Sequence, residues 1–375
     1  MEQVTPTVPE SGSASLGDLT FVDPQRAGGR YEPIPAPRPD PWPLGEPLDL
    51  SGFRVAADGR MLDLGEFSAV TSASSLVVVA AGELRHEWYA PDVSADSALL
   101  GASMTKSVLA HLVGLAVADG RLALDVPVTT FVPELAASGY RDVRVGHLLS
   151  MTSGVQWTED YRDPGSPASR LLGCFAAGSS SSRDLLCKVE SGVPAGSRFA
   201  YNTADSQVLD WVRERATGQT TVQAIRLLWA DLGCTRPAWM LTDRDGVALA
   251  GGGLAACATD WARIGVLQLY GSLGRVHLPA GWRDRSSRPS EPFLCPGRLP
   301  SSITTHAGFG YHWWPLDEDG HRVTADGSRG QFCYLDTDRE VVVVKTSRWS
   351  YGDFLADRTR RDLCYLTLPA LAETY

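Results

Sequence analysis

Lysine is nearly absent from this sequence. Arginine supplies 31 of its 34 basic residues, and the three lysines are Lys106, Lys188 and Lys345. Arginine keeps its proton in proteins, whereas a buried lysine can lose it. This chain uses arginine wherever an ordinary positive charge is needed. A lysine that is nevertheless kept indicates that a titratable amine is needed at its position.

Other absences narrow the class of protein. The seven cysteines are an odd number without a C-x-x-C pair, which is typical of reduced, mostly buried cysteine. The net charge is −10 and there is no basic run, which argues against a nucleic-acid or anionic-membrane partner. Residues 1–16 lack the pattern of a secretory signal, and no apolar stretch is long enough to span a bilayer. We therefore expect a cytoplasmic protein with no membrane partner.

Several catalytic motifs are also missing. The sequence has no G-x-S-x-G elbow, no glycine-rich loop ending in Gly-Lys, and no H-E-x-x-H spacing among its seven histidines. These absences exclude the common serine-elbow hydrolase and P-loop patterns, and each histidine is better explained as structural. We expect no metal and no organic cofactor.

What is present is a serine three residues before a lysine, at the start of an apolar-periodic segment that runs to Asp119. Ser103 and Lys106 lie just under one helical turn apart, so their side chains share one face and can touch. Backbone N–H groups at a helix start favour negative charge. An amine of lowered pKa could then take the hydroxyl proton and activate Ser103 as a nucleophile. The alternative is a lysine that extends to solvent from an ordinary amphipathic helix.

A second proton carrier is needed to protonate a leaving group. Tyr201 is the candidate, because a turn precedes it and the polar Asn202 and Thr203 follow it. A nearby ammonium would lower the pKa of its phenol toward a useful range. The alternative is a tyrosine that packs at a helix start with its hydroxyl bonded to the backbone.

The chain divides by composition into three parts. Residues 1–48 form a proline-rich arm, predicted to be extended and laid over the body. Residues 49–102 and 265–375 form a sheet domain, with strands at 75–81, 84–89, 309–314, 331–335 and 340–346 and a closing helix at 354–372 that Pro369 should end early. Residues 103–264 form a mainly helical subdomain. The fold class is α+β, an antiparallel sheet flanked by helices, with the active site at the interface of the two domains.

Several segments in the same order carry a family resemblance. Besides Ser103 and Lys106, they are the stretch L-L-S-M-T-S-G at 148–154, the aromatic–acidic stretch at 157–161, Y-N-T at 201–203, G-G-G-L at 251–254 and G-Y-H-W-W at 310–314. Over roughly residues 50–370 the chain resembles the serine β-lactamase-like superfamily. It is most similar to the class C-type branch that includes 6-aminohexanoate-dimer hydrolase and the family VIII esterases.

This resemblance implies a β-lactamase/transpeptidase-like fold and a set of site residues. The implied catalytic residues are Ser103, Lys106 and Tyr201. The backbone N–H groups of Ser103 and Ser328 are implied to form the oxyanion hole. The implied substrate-binding residues are Trp157, Tyr161, Thr203, Trp313, Gly327 and Gln331. The family's Lys-Thr-Gly motif falls on residues 325–327, where Ala325 replaces the cation, and Lys345 is only a look-alike.

The expected function is a serine hydrolase that cleaves a small amide or ester through an acyl-enzyme on Ser103. Its partner is a small-molecule amide or ester substrate. The alternatives are an acyltransferase that uses the same acyl-enzyme and a binding relative that keeps the fold without turnover. The presence of Ser103, Lys106 and Tyr201 together favours an enzyme.

Overall fold

The computed structural model describes residues 29–57, 59–176, 180–289, 291–295, 308–349 and 354–375. Its strands are β1 (Arg30–Ile34), β2 (Val55–Ala57), β3 (Arg60–Leu62), β4 (Ala73–Ala80), β5 (Glu83–Tyr89), β6 (Leu99–Leu100), β7 (Ala238–Thr242), β8 (Leu254–Ala256), β9 (Ser272–Leu273), β10 (Val276–His277), β11 (Trp314–Pro315), β12 (Arg322–Gly327), β13 (Gln331–Asp336) and β14 (Val341–Ser347). Its α-helices are α1 (Leu64–Val70), α2 (Met104–Ala118), α3 (Val145–Leu149), α4 (Pro167–Ala176), α5 (Ser182–Leu186), α6 (Thr203–Thr217), α7 (Thr221–Asp231), α8 (Ala258–Tyr270), α9 (Trp282–Ser287) and α10 (Phe354–Ala372).

The main sheet is antiparallel, in the order β11-β12-β13-β14-β4-β5. Every residue of β4 and β14 is buried, because helices cover both faces. Alternate residues point to opposite faces. Val77 and Val79 pack on the side of α2 and α8, and Leu76 and Val78 pack on the side of α1 and α10. The predicted α+β class with an antiparallel, helix-flanked sheet is confirmed.

A smaller sheet, in the order β1-β7-β8-β6, supports the start of α2. Its edge strand β1 belongs to the proline-rich arm and pairs with β7. Farther along the arm, Trp42 donates its indole N–H to the carbonyl oxygen of Thr259 at 3.0 Å, and the guanidinium of Arg263 lies 4.5 Å from its ring centre. The described part of the arm therefore lies on the body, as predicted. Residues 1–28 of the predicted arm lie outside the described residues.

The helical part buries its own apolar cluster. Side chains of α2, α3, α6 and α9 meet there, so α2 has one side on this cluster and the other on the sheet. Twelve residues of α2 are buried, including Lys106 and Ser107. The two strands β7 and β8 also fall within the mainly helical stretch. The division into domains at residues 102 and 264 stays a prediction.

Two sequence predictions of local structure are wrong. The strand expected at 309–314 is reduced to Trp314–Pro315, because His312 has a φ of 56° and the chain turns there, with Gly310 N–H bonded to the carbonyl oxygen of Trp313. Pro369 does not end the last helix, which continues to Ala372. Leu368, Leu371 and Ala372 are fully buried, and their burial offsets the lost backbone hydrogen bond.

No helix among the described residues has both the length and the apolar character needed to cross a bilayer.

Candidate active site

Ser103 stands at the junction between β6 and α2. The preceding residue Ala102 has a φ of 46°, in the left-handed region that non-glycine residues rarely occupy. Gly101 lies against the indole of Trp261, where an added Cβ would come within 2.2 Å of the ring. Ser103 is the N-cap residue of α2, yet its side chain makes no capping hydrogen bond. Its hydroxyl is therefore available to a partner across the helix turn.

That partner is Lys106. Its Nζ donates to Ser103 Oγ at 2.9 Å and to the carbonyl oxygen of Gly251 at 2.6 Å. The lysine side chain is buried, which lowers its pKa from 10.5 to about 8, although the nearby carboxylate of Glu159 raises it in part. The contact predicted from the spacing of Ser103 and Lys106 is therefore present. The alternative of a solvent-exposed lysine is wrong.

The glycine turn at 251–253 makes this contact possible. A Cβ on Gly251 would lie 2.8 Å from Thr203 Cγ2 and 3.5 Å from Lys106 Nζ. Only glycine lets the chain pass close enough for its carbonyl oxygen to accept from Lys106. This stretch is therefore a turn that allows close packing between the chain and the lysine amine.

Tyr201 lies beside the pair. Its ring stacks on Trp314 with centres 5.6 Å apart, and Lys106 Nζ is 5.1 Å from the ring centre. Asn202 caps α6 by accepting from the backbone N–H groups of Ala204 and Asp205. Tyr201 is thus held at the start of α6 by packing, on the side of α2 that carries Lys106.

The expected direction of the Tyr201 pKa shift is wrong. Burial raises its pKa well above the ordinary value of 10, and the carboxylate of Glu159 adds to the increase. A hydrogen bond with Ser103 opposes this shift but does not reverse it. The phenol therefore keeps its proton at neutral pH, which suits a proton donor and not a phenolate base.

Glu159 is a site residue to which the sequence interpretation gave no role. Its carboxylate accepts from the indole N–H of Trp157, from the hydroxyl of Tyr161 and from both the backbone N–H and the hydroxyl of Thr203. Three of the expected substrate-binding side chains are therefore bound to one carboxylate. A glutamate placed between two aromatic residues, at 157–161, was the signal available in the sequence.

The end of strand β12 lies against the loop that carries Ser103. A Cβ on Gly327 would come within 2.2 Å of the carbonyl oxygen of Gly101, so this glycine permits close contact between the two backbones. The chain then turns through Ser328 and Arg329, the latter with a φ of 67°. This places Ser328 directly after the residue that touches the Ser103 loop. Gly327 therefore makes room for the backbone at Gly101, and its expected contact with substrate stays a prediction.

Two expected substrate-binding side chains have other roles. Gln331 donates to the carbonyl oxygens of Arg329 and Ser347 and accepts from Ser347 N–H, so its amide braces the turn after β12. Trp313 has no exposed surface and packs against His111 with ring centres 5.8 Å apart. Neither side chain lines an open cleft in this structure, because each is buried against protein groups.

His312 has a structural role beside the site, in agreement with the expectation for each histidine. Its Nδ1 lies 3.1 Å from the carbonyl oxygen of Lys106, and Ser107 Oγ donates to the carbonyl oxygen of His312 at 2.7 Å. Burial lowers its pKa to about 3, so the ring is neutral at neutral pH. His312 therefore fastens the loop before β11 to the helix that carries Lys106.

Lys345 lies on the opposite face of the sheet. Its Nζ is 5.6 to 5.9 Å from the ring centres of Phe67, Phe332 and Trp349, which belong to the cluster beneath α10. On β12, Ala325 is buried and Asp326 is bound by Arg361 and Tyr365. The interpretation of Lys345 as a look-alike agrees with this geometry, since its amine points away from Ser103.

The fold and this site define the class of protein as a β-lactamase-type serine hydrolase. A family model described as Beta-lactamase matches residues 66–366, and the chain belongs to the β-lactamase family. It is 30% identical to the 6-aminohexanoate-dimer hydrolase of Paenarthrobacter ureafaciens over 310 residues, which cover 78% of this chain and 77% of that protein.

Two solved structures show the same fold. A Bacillus anthracis protein assigned as a 6-aminohexanoate-dimer hydrolase superposes with a TM-score of 0.80, at 22% identity and with 92% of each chain covered. EstCE1, described as a hydrolase with promiscuous acyltransferase activity, superposes with a TM-score of 0.58 at 17% identity, covering 80% of this chain and 98% of the other. At these identities the likeness concerns the fold.

Proposed function

We propose that this protein hydrolyses a small amide or ester through an acyl-enzyme on Ser103. The observation that carries the proposal is the 2.9 Å contact between Ser103 Oγ and a buried lysine whose pKa is lowered to about 8. An amine of that pKa is partly neutral at mildly alkaline pH and can accept the serine proton. Hydrolysis is favoured over acyl transfer because the sequence relative that covers most of the chain is named as a hydrolase.

In the proposed mechanism, Ser103 Oγ attacks the substrate carbonyl carbon while Lys106 Nζ takes the hydroxyl proton. The backbone N–H groups of Ser103 and Ser328 stabilise the oxyanion. Lys106 returns the proton through the Tyr201 hydroxyl to the departing amine or alcohol. Water then attacks the acyl-enzyme with the same groups acting in reverse, which regenerates free Ser103.

The raised pKa of Tyr201 supports its part as a relay that stays protonated. Glu159 supports the arrangement of the site, because its carboxylate accepts hydrogen bonds from the hydroxyls of Thr203 and Tyr161 and so fixes both side chains near Lys106. We propose that the side chains of Tyr161 and Trp157 contact the substrate, since both residues are partly exposed.

A fluorescent fluorophosphonate probe tests the nucleophile. Wild-type protein should be labelled on Ser103, and Ser103→Ala should abolish labelling and p-nitrophenyl ester hydrolysis with little change in melting temperature. Ser107→Ala is a matched control on the same helix, since Ser107 Oγ is bound to the carbonyl of His312 and not to Lys106. Mass spectrometry that located the label on another residue would overturn the assignment.

The proposed substrates are short-chain esters and small linear amides, and not penicillins. Ala325 occupies the position at which the family has a cation for the β-lactam carboxylate, and it is buried. Steady-state kinetics on benzylpenicillin and p-nitrophenyl esters decides between the two classes. A higher kcat/KM for penicillin than for the esters would contradict the substrate assignment.

A further inference from the structure

A cavity of about 170 Å³ lies apart from the residues of the proposed active site. It is lined mainly by residues of α8, α9, β12 and β13, and its lining includes none of Ser103, Lys106 and Tyr201. The volume is many times what one water molecule needs, so a small organic molecule fits.

The polar side of the cavity carries a guanidinium that lacks a protein partner. Arg283 is partly buried, and its guanidinium makes no hydrogen bond or ion pair with any residue in the described ranges, although its backbone carbonyl oxygen accepts from Ser287 Oγ. Its Cδ would lie 3.1 Å from a Cβ on Gly271, so its stem is close to the start of the β9 strand. A partly desolvated guanidinium is stabilised by an anion that can accept two of its N–H groups.

Gln268 offers a second donor to the same space. The residue is only 4% exposed, and its Oε1 lies 3.1 Å from Nε2 of His111 on the helix that carries Ser103. Burial lowers the pKa of His111 to about 4, so the neutral ring donates from Nε2 and fixes the glutamine oxygen on that side. The glutamine N–H group has no acceptor among the described residues and is available to the cavity.

The remaining charges nearly balance. Arg288 lines the cavity and donates its Nε–H to the carbonyl oxygen of Asp319, while Asp284 contributes a carboxylate. His321 is paired with Asp338 at 2.8 Å. With two guanidinium groups against the carboxylate of Asp284, the lining suits a monoanion better than a dianion.

One part of the wall is apolar, and Ser287 and Thr337 add hydroxyl groups to the rest. Leu269, Val323 and Leu335 line the cavity, and each is at most 3% exposed. A ligand that places an anionic head on Arg283 therefore meets aliphatic side chains with its other end.

We propose that this cavity binds a short aliphatic monocarboxylate, with the carboxylate held by Arg283 and Gln268 and the hydrocarbon chain packed on Leu269, Val323 and Leu335. The size of the cavity and its single excess positive charge select such an acid over a phosphate or a peptide. This site does not depend on the proposed chemistry at Ser103.

The test is calorimetric titration of the full-length protein with sodium butyrate, with butylamine as a probe of the same length and opposite charge. Wild type and Arg285→Gln should bind butyrate equally, because Arg285 is exposed on the same helix and does not line the cavity. Arg283→Gln should bind at least about tenfold more weakly, because a charge-assisted hydrogen-bond pair is lost. Arg283→Lys, which keeps the charge, should bind with intermediate affinity.

Three results would overturn the proposal. They are no saturable butyrate binding by wild type, equal binding by Arg283→Gln and Arg285→Gln, and binding of butylamine as strong as that of butyrate. Thermal melts of each variant show whether it is folded. If Arg283→Gln does not fold, Arg288→Gln replaces it, with weaker binding expected because Arg288 lines the same cavity and is exposed.

Discussion

Lys106 combines burial with a lowered pKa, and a buried arginine cannot reproduce the second property because its guanidinium keeps its proton. The pKa of Lys106 is lowered to about 8 chiefly because the ammonium is removed from water. A base acts in its neutral form, so the value of kcat/KM for an activated ester should rise with pH and level off above about 8. A flat profile through this region would contradict the assignment of Lys106 as the base.

Replacement of Lys106 by arginine gives the corresponding mutational prediction. Lys106→Arg keeps the positive charge but cannot lose its proton, so we expect it to be nearly as inactive as Lys106→Ala. Lys188→Arg, at a lysine without a serine three residues before it, is the control and should retain wild-type kinetics. If Lys106→Arg kept about a tenth or more of the wild-type turnover, Lys106 would act only through its positive charge and not as a base.

Tyr201 should discriminate between leaving groups. Tyr201→Phe retains the ring that stacks on Trp314 but removes the phenolic proton. Amide cleavage should fall much more than p-nitrophenyl ester cleavage, because an amine must be protonated to depart and nitrophenolate need not be. Steady-state kinetics on both substrates measures the ratio, and an equal loss on both would argue that Tyr201 only positions other groups.

At the scale of single residues, the sequence predicted which residues meet better than it predicted the surroundings of each side chain. The spacing of Ser103 and Lys106 and the scarcity of lysine were sufficient to find the pair. The direction of the Tyr201 pKa shift could not be found in this way, since it depends on burial and on Glu159, which is 42 positions earlier in the chain. The hydrogen bonds of Gln331 could not be found for the same reason, because its acceptors are backbone groups of β14 and of the turn after β12.

Among the elements, β12 and the loop before α2 depend on each other most directly. Gly327→Ala would bring a Cβ within 2.2 Å of the Gly101 carbonyl oxygen, which is a backbone atom and cannot rotate away. We expect a loss of about 1–3 kcal/mol in the free energy of unfolding and a fall in kcat. Chemical denaturation and ester kinetics measure the two effects.

Gly52→Ala is the control for this substitution, because no atom lies within 4 Å of an added Cβ there. It should change the unfolding free energy by no more than about 0.5 kcal/mol. If Gly327→Ala behaved like Gly52→Ala in both measurements, the close packing of β12 on the Ser103 loop would not matter for function.

Elements with strong local signals were predicted well. The apolar run at 75–81 and its partner at 84–89 are β4 and β5, and the strands predicted at 331–335 and 340–346 are β13 and β14. The prediction of a strand at 309–314 was wrong because His312 turns the chain to reach α2, a tertiary contact that alternation of residue types does not encode.

At the scale of the whole molecule, the arm contributes stability through a few contacts. Trp42→Ala removes a partly buried indole, its hydrogen bond to Thr259 and its contact with Arg263. We expect the free energy of unfolding to fall by about 2 kcal/mol, measured by denaturant titration. Leu44→Ala is the matched control, because that side chain is 80% exposed and should have almost no effect. Equal stability of the two variants would mean that the arm does not support the fold.

The position of β4 in the main sheet has a consequence for how the protein is made. β4 is synthesised well before its central partner β14, because Val79 pairs with Val342, which lies far later in the chain. Until then the run from Ala73 to Ala80, apolar and without charge, has β5 on one side only. Contacts this distant in sequence form slowly, and an uncharged strand with an open edge associates readily with other chains. Yield in a heterologous host should therefore depend on chaperone capacity and on growth temperature more than on the stability of the finished enzyme.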